Sequence, residues 1–180
     1  SKKNHERNRR RNVSTAEMPN LVPWVVTAHA FEPVTVSQVK ARLDIGENDL
    51  THDDELDVLL HACREEFEHD TSLVTSTRTL KTYTDRIYDG MQLQLRPVTS
   101  ITTIKYYDGT NALQTLATSV YGFDVGLGQI RLKYNQTWPD TVSRWDAWEI
   151  TYVAGYSSLN TVPALAKSAI LMLAAHRFEN

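Results

Sequence analysis

The chain has 180 residues, 41% of them hydrophobic and 23% charged, which is the balance of a folded domain and not of a disordered or fibrous chain. That length accommodates one domain, or a core with one inserted subdomain; the longest apolar stretch, Ala164 to Ala175, is interrupted by Lys167 and Ser168 and falls short of the roughly 18 residues of a membrane span. A net charge of −3 conceals a contrast: residues 1–12 hold six Lys/Arg against one acid, +5, and the remaining chain holds 13 against 21, −8.

Residues 1–30 read as an extended arm. Its basic part, "SKKNHERNRRRN", has no apolar residue with which to fold alone. Its second part carries Pro19, Pro23 and an apolar patch around Trp24; each proline biases its predecessor to extended backbone, and the patch calls for a partner or the body to cover it. The basic residues Lys2, Lys3, Arg7, Arg9, Arg10 and Arg11 suit either a solvated tail or contact with phosphates or an acidic surface. No aromatic interleaves them, so base stacking is not expected.

A helix is predicted over about residues 35–44, with Thr35 and Gln38 as a capping box and Gly46 as its stop. A second is predicted over about 52–70, capped by Thr51, with Leu56, Leu59, Leu60, Cys63 and Phe67 on one stripe. Cys63 reads there as a small buried hydrophobe; a single cysteine excludes an internal disulfide and a multi-cysteine metal site. Without a signal-peptide pattern at the polar N-terminus, the chain reads as a cytoplasmic product.

From about residue 77 to 154 the period changes to that of strands, rich in Thr, Tyr, Ile and Val, with turn signals at Asp89-Gly90, Pro97, Asp108-Gly109, Gly126 to Gly128 and Pro139-Asp140. Five or six antiparallel strands are expected. A last helix is predicted over about 162–178, capped by Thr161, with Leu165, Ala169, Met172, Leu173 and His176 on one face. Helices on both sides of a β segment predict an α+β fold: a small helical bundle over residues 31–180 with an antiparallel insertion, preceded by the arm.

The chemical motifs are weak. "WEITYVAGY", residues 148–156, places Gly155 after a strand and before a helix, but without further glycines it reads as a structural corner and not a nucleotide loop. "DIGENDLTHDDE", residues 44–55, has Asp49 where a calcium loop needs glycine, so its acids read as a helix N-terminus. His52, His61, His69 and His176 lack metal-ligand spacing; Ser157 and Ser158 lack a nucleophile elbow; Glu65 and Glu66 are adjacent and read as a solvated face. No catalytic residue, metal or cofactor is expected. Trp138, Trp145 and Trp148 read equally as sheet core or as an interface belt.

The order "FEPVTVSQVKARLDI", "DDELDVLLHACREEFEHDT", "YNQTWPD", "WEITYVAGY" and "VPALAKSAILMLAAHRFEN" resembles that of the tailed-bacteriophage head–tail connector (adaptor, or head-completion) proteins, over residues 31–180. The resemblance implies a non-enzymatic virion protein, assembled in the host cytoplasm and forming a ring of about twelve copies. Its partners would be the portal protein, other copies of itself, and a neck, stopper or tail-terminator protein. Genomic DNA would pass through the ring, and no membrane is involved. It also implies that the C-terminal residues Ala175, His176, Arg177, Phe178, Glu179 and Asn180 reach the portal. The arm and Trp24 lie outside the shared pattern; they could contact the portal or the DNA. The three tryptophans are candidates for the ring or tail-side interface. The alternative function is a DNA-binding module that grips phosphates through its basic arm.

Overall fold

A computed structural model describes residues 23–180, so the basic residues Lys2, Lys3, Arg7, Arg9, Arg10 and Arg11 lie outside the described residues. The fold is α+β. Three helices, α1 (Val36–Arg42), α2 (Asp53–Thr71) and α3 (Ala164–Glu179), enclose a β region. In chain order its strands are β1 (Trp24–Val25), β2 (Arg78–Thr84), β3 (Met91–Gln92), β4 (Val98–Tyr107), β5 (Leu113–Thr115), β6 (Tyr121–Asp124), β7 (Gln129–Leu132) and β8 (Trp148–Ala154). They form a five-stranded sheet in the order β1-β2-β8-β4-β5 and a three-stranded sheet in the order β3-β7-β6, with antiparallel pairing throughout. Among the described residues the eight strands exceed the five or six expected because β1 falls in the segment read as the arm and β5 is three residues long, too short to leave a period in the sequence.

Two cores result. The β core is built from alternate residues: Trp148, Ile150, Tyr152 and Ala154 of the central strand β8 are buried, with Leu80 of β2 and Ile104 of β4 beside them. The helical core gathers Val34, Val39, Leu56, Leu60, Cys63, Ile170 and Ala174. Each large aliphatic side chain fully withdrawn from water there contributes about 1.5–3 kcal/mol.

The helix ends show which local signals operate. Thr35 caps α1: its Oγ1 accepts the Gln38 amide at 3.3 Å and the Thr35 amide bonds Gln38 Oε1 at 3.0 Å. The stop is Asp44 and not Gly46: Asp44 takes the left-handed φ of 59° and the Ile45 amide returns to the Lys40 carbonyl at 3.0 Å. Thr51 does not cap α2, because its amide and hydroxyl are both donated to Asp49 Oδ1, at 3.0 and 2.6 Å, and His52 holds the cap position. Thr161 does not cap α3; it ends a short 3-10 turn (Leu159–Thr161), its hydroxyl donated to the Ser158 carbonyl at 2.7 Å, and Pro163 is the cap residue.

Two crossings join helices to sheet, Ser72–Thr77 after α2 and Gly155–Pro163 before α3. At the second, Gly155 has φ of 107°, and a Cβ there would fall on the Ser76 carbonyl, deep inside van der Waals contact. Its amide donates to the Pro97 carbonyl at 2.8 Å. Glycine is required here by backbone passing against backbone, and "YVAGY" is the corner at which sheet gives way to helix.

Candidate assembly surfaces

The helical and β parts are locked by a buried charge network. Arg64 of α2, 2% exposed, donates Nε to both oxygens of Glu32 at 3.1 and 3.0 Å, Nη1 to Glu68 Oε2 at 3.2 Å and Nη2 to Glu65 Oε1 at 3.3 Å. Glu68 Oε1 accepts the amide and hydroxyl of Thr75 at 2.8 and 2.6 Å, and Glu68 Oε2 also meets Nη2 of Arg78 on β2. Burial would push the Glu68 carboxyl up, but the Thr75 bonds and the Arg78 guanidinium outweigh it and hold it below the usual 4.5. The network ties the segment before α1, helix α2 and strand β2 into one body.

On that body stands an aromatic knob. Arg144 is clamped to Asp146 through Nε and Nη2 at 2.5 and 2.7 Å, donates Nη1 to Asn111 at 3.0 Å and lies 3.9 Å over the Tyr107 ring. Its bonds to Asp146 raise the guanidinium and lower the carboxyl. The next residue, Trp145, projects outward with 76% exposure, its ring edge-on to Tyr83 at 6.2 Å. The tryptophans therefore divide. Trp148 is buried in β8 and stacks obliquely on Tyr106 at 5.3 Å, so it is sheet core and not an interface residue; its alternation with Ile150 and Tyr152 turns it inward. Trp138 is half-buried, edge-on to Trp148 at 6.0 Å. Trp145 alone of the three is mostly exposed. Trp24 is also exposed, on edge strand β1, paired opposite Lys81.

The face read on α3 from Leu165 to His176 is not the one that the core takes. Ala166, Ile170, Ala174 and Ala175 are buried, whereas Leu165 and Met172 are 82% and 54% exposed. Leu165, Ser168, Met172 and His176 line the outside of the helix. Among the C-terminal candidates, Ala175 is buried, and Phe178 packs into the helical core edge-on to His52 at 5.3 Å. Ala175 is thus withdrawn from the surface, and Phe178 is partly so. His176, Arg177, Glu179 and Asn180 are exposed; Arg177 pairs with Glu66 of α2 at 2.5 Å, so Glu66 is not merely solvated.

Several acids of residues 44–55 have structural partners. Asp49 accepts from Thr51, bonds that hold its carboxyl low, and Asp53 pairs with the buried Lys40 at 2.8 Å. The fold makes one cluster that sequence spacing did not reveal. His29 Nε2 and His61 Nε2 converge on Glu32 Oε1 at 2.7 and 3.3 Å. His29 and His61 are 32 positions apart, and only the docking of the pre-α1 segment on α2 unites them.

The architecture is that of a helical bundle carrying an antiparallel β insertion, and chains of known structure share it. This chain is similar to one in the virion of a native gene transfer agent (GTA) particle, with a TM-score of 0.71, 22% identity and coverage of 89% of this chain and 85% of that one. It is similar to a chain in the neck of a native GTA particle computed with C12 symmetry, with a TM-score of 0.66, 19% identity and coverage of 89% and 84%. A chain in the neck of an empty GTA particle computed with C6 symmetry gives a TM-score of 0.65 at 21% identity, with coverage of 89% and 85%. No protein-family model matches the chain, and no curated protein matches it significantly. Among the described residues no helix is long and apolar enough to cross a membrane.

Proposed function

We propose that this chain is a structural protein of a phage-type head–tail junction, one protomer of a closed ring between the portal and the neck, stopper or tail-terminator protein. The ring extends the channel through which genomic DNA passes, and the work of the protein is assembly and not catalysis. The observation that carries this reading is the shared fold: 89% of this chain superimposes on 85% of a chain in the virion of a GTA particle. The C12 symmetry of one related neck supports a ring of about twelve copies, and closed cyclic symmetry requires two different side faces on each protomer.

The surfaces fit those roles. Trp145 on its Arg144 pedestal has the form of an interface anchor, a rigid aromatic with little entropy to lose. The Leu165–Met172 stripe of α3 offers an apolar face for a neighbour. His176, Arg177, Glu179 and Asn180 form the portal-facing end, with Ala175 and Phe178 holding that end of α3 in place. The −8 charge outside residues 1–12 suits a channel that must let DNA slide without gripping it, and the basic arm of residues 1–12 supplies a contact to the portal or to phosphates.

Mixing the protein with its cognate portal and imaging the product by electron microscopy tests this. A closed ring on the portal is the expected result. Removing residues 1–12 separates the rival: an adaptor loses portal assembly, whereas a DNA-binding module loses a steeply salt-dependent DNA affinity.

A further inference from the structure

We propose that His29, Glu32 and His61 form a zinc site that staples the segment preceding α1 to helix α2. The ligand atoms of these three side chains lie within 4.8 Å of one another. His29 and Glu32 are three apart on one segment and His61 comes from α2, so a bound ion would bridge two elements. The side chains are 30%, 19% and 43% exposed, leaving an entry path for an ion without exposing the carboxylate fully.

Hydrogen bonding satisfies this cluster in one tautomeric arrangement only. Glu32 Oε1 faces His29 Nε2 at 2.7 Å, His61 Nε2 at 3.3 Å and Arg64 Nε at 3.1 Å. Arg64 Nε is shared with Oε2 at 3.0 Å, so Oε1 is left to the two imidazoles, and both can donate to it only when each carries its proton on Nε2. If the imidazoles instead turn lone pairs toward the oxygen, three electron-rich atoms face one another, and a cation between them resolves the conflict. Two imidazoles and a carboxylate are a donor set suited to zinc, with a fourth position left for water. Tetrahedral zinc with bonds of about 2.0–2.1 Å sets its ligands roughly 3.3 Å apart. The His61–Glu32 distance already has that value; His29 must swing out by roughly 0.6 Å.

Arg64 does not compete for the site. Its charge is divided among Glu32, Glu65 and Glu68, and its bonds to both oxygens of Glu32 fix the orientation of that carboxylate, as outer-shell partners of metal ligands do.

The test is titration of the metal-free 180-residue chain with zinc chloride, read by isothermal calorimetry and by thermal unfolding, with magnesium chloride as the control. One zinc per chain and a rise in Tm, absent with magnesium, are expected. His29→Ala and His61→Asn, both at partly exposed positions, should each weaken zinc binding by more than the roughly 10–100-fold typical of losing an outer-shell partner and abolish the rise in Tm. The wild-type complex should also show both imidazoles coordinated through Nε2 in ¹⁵N-detected NMR. Absence of stoichiometric binding by the wild type overturns the proposal. So does binding that survives both substitutions, which places the ion on other residues; if one variant does not fold, the other and the NMR signature decide.

Discussion

Arg64 and Glu32 stand 32 residues apart, and the Nε of one bonds both carboxylate oxygens of the other at 3.1 and 3.0 Å. Through this contact the chain entering the bundle is fixed to α2, and through Glu68 and Arg78 the same guanidinium is linked to the sheet. A buried, mutually satisfied network of this kind is costly to break from one side.

Arg64→Ala should therefore destabilise the protein by about 3–5 kcal/mol, because Glu32 and Glu68 each lose a guanidinium partner while staying mostly out of water. Chemical denaturation should show a lowered midpoint with little change in slope. A loss below about 1 kcal/mol would mean that solvent reaches these carboxylates.

The Glu68 carboxyl is held below its ordinary 4.5 in the folded protein. A depressed folded-state value gives stability that is fully present above 4.5 and is lost as pH falls through the folded value. Unfolding free energy should thus decline on acidification below about pH 4.5, and Glu68→Gln should start less stable at pH 7 and decline less steeply. Parallel pH profiles for the two proteins would contradict this assignment.

Gly155→Ala combines a left-handed φ with a Cβ aimed into the Ser76 carbonyl. Strain of this kind alone costs about 1–3 kcal/mol, and the clash adds to it, so Tm should fall by at least about 5 °C for a chain of this size. An unchanged Tm would show that the two crossings are free to separate.

Trp145→Ala and Trp148→Ala should part company. Trp145 is a surface side chain, and its removal should leave monomer stability within about 0.5 kcal/mol while weakening self-assembly by about 2 kcal/mol or more. Trp148 is core, and its truncation should cost about 3–5 kcal/mol. Leu165→Glu or Met172→Glu on α3 should behave like Trp145→Ala, with circular dichroism unchanged and ring formation lost.

These contrasts also mark where the sequence was legible. The Leu56–Leu60–Cys63 stripe of α2 and the capping box at Thr35 are local patterns with one solution, and both are found as read. The helix α3 is apolar or small around most of its circumference, so periodicity does not choose its inner face; Leu165 lies outside, while Ala166 and Ile170 face the core. Thr51 and Thr161 are good caps in isolation, but Asp49 and Ser158 engage them first. Trp145 and Trp148 are three residues apart with opposite fates, decided by where β8 begins. The Arg64 network and the His29–Glu32–His61 cluster join segments about thirty residues apart, beyond the reach of any spacing rule. An Arg64–Glu68 pair at i,i+4 was the one local hint of the former.

The most direct test is cryo-electron microscopy of the protein bound to its cognate portal. A closed ring of about twelve copies is predicted, with Trp145 and the Leu165–Met172 stripe in contacts between neighbours and His176, Arg177, Glu179 and Asn180 against the portal. A protein that stays monomeric and apart from the portal, yet binds duplex DNA with steep salt dependence, would contradict the assignment.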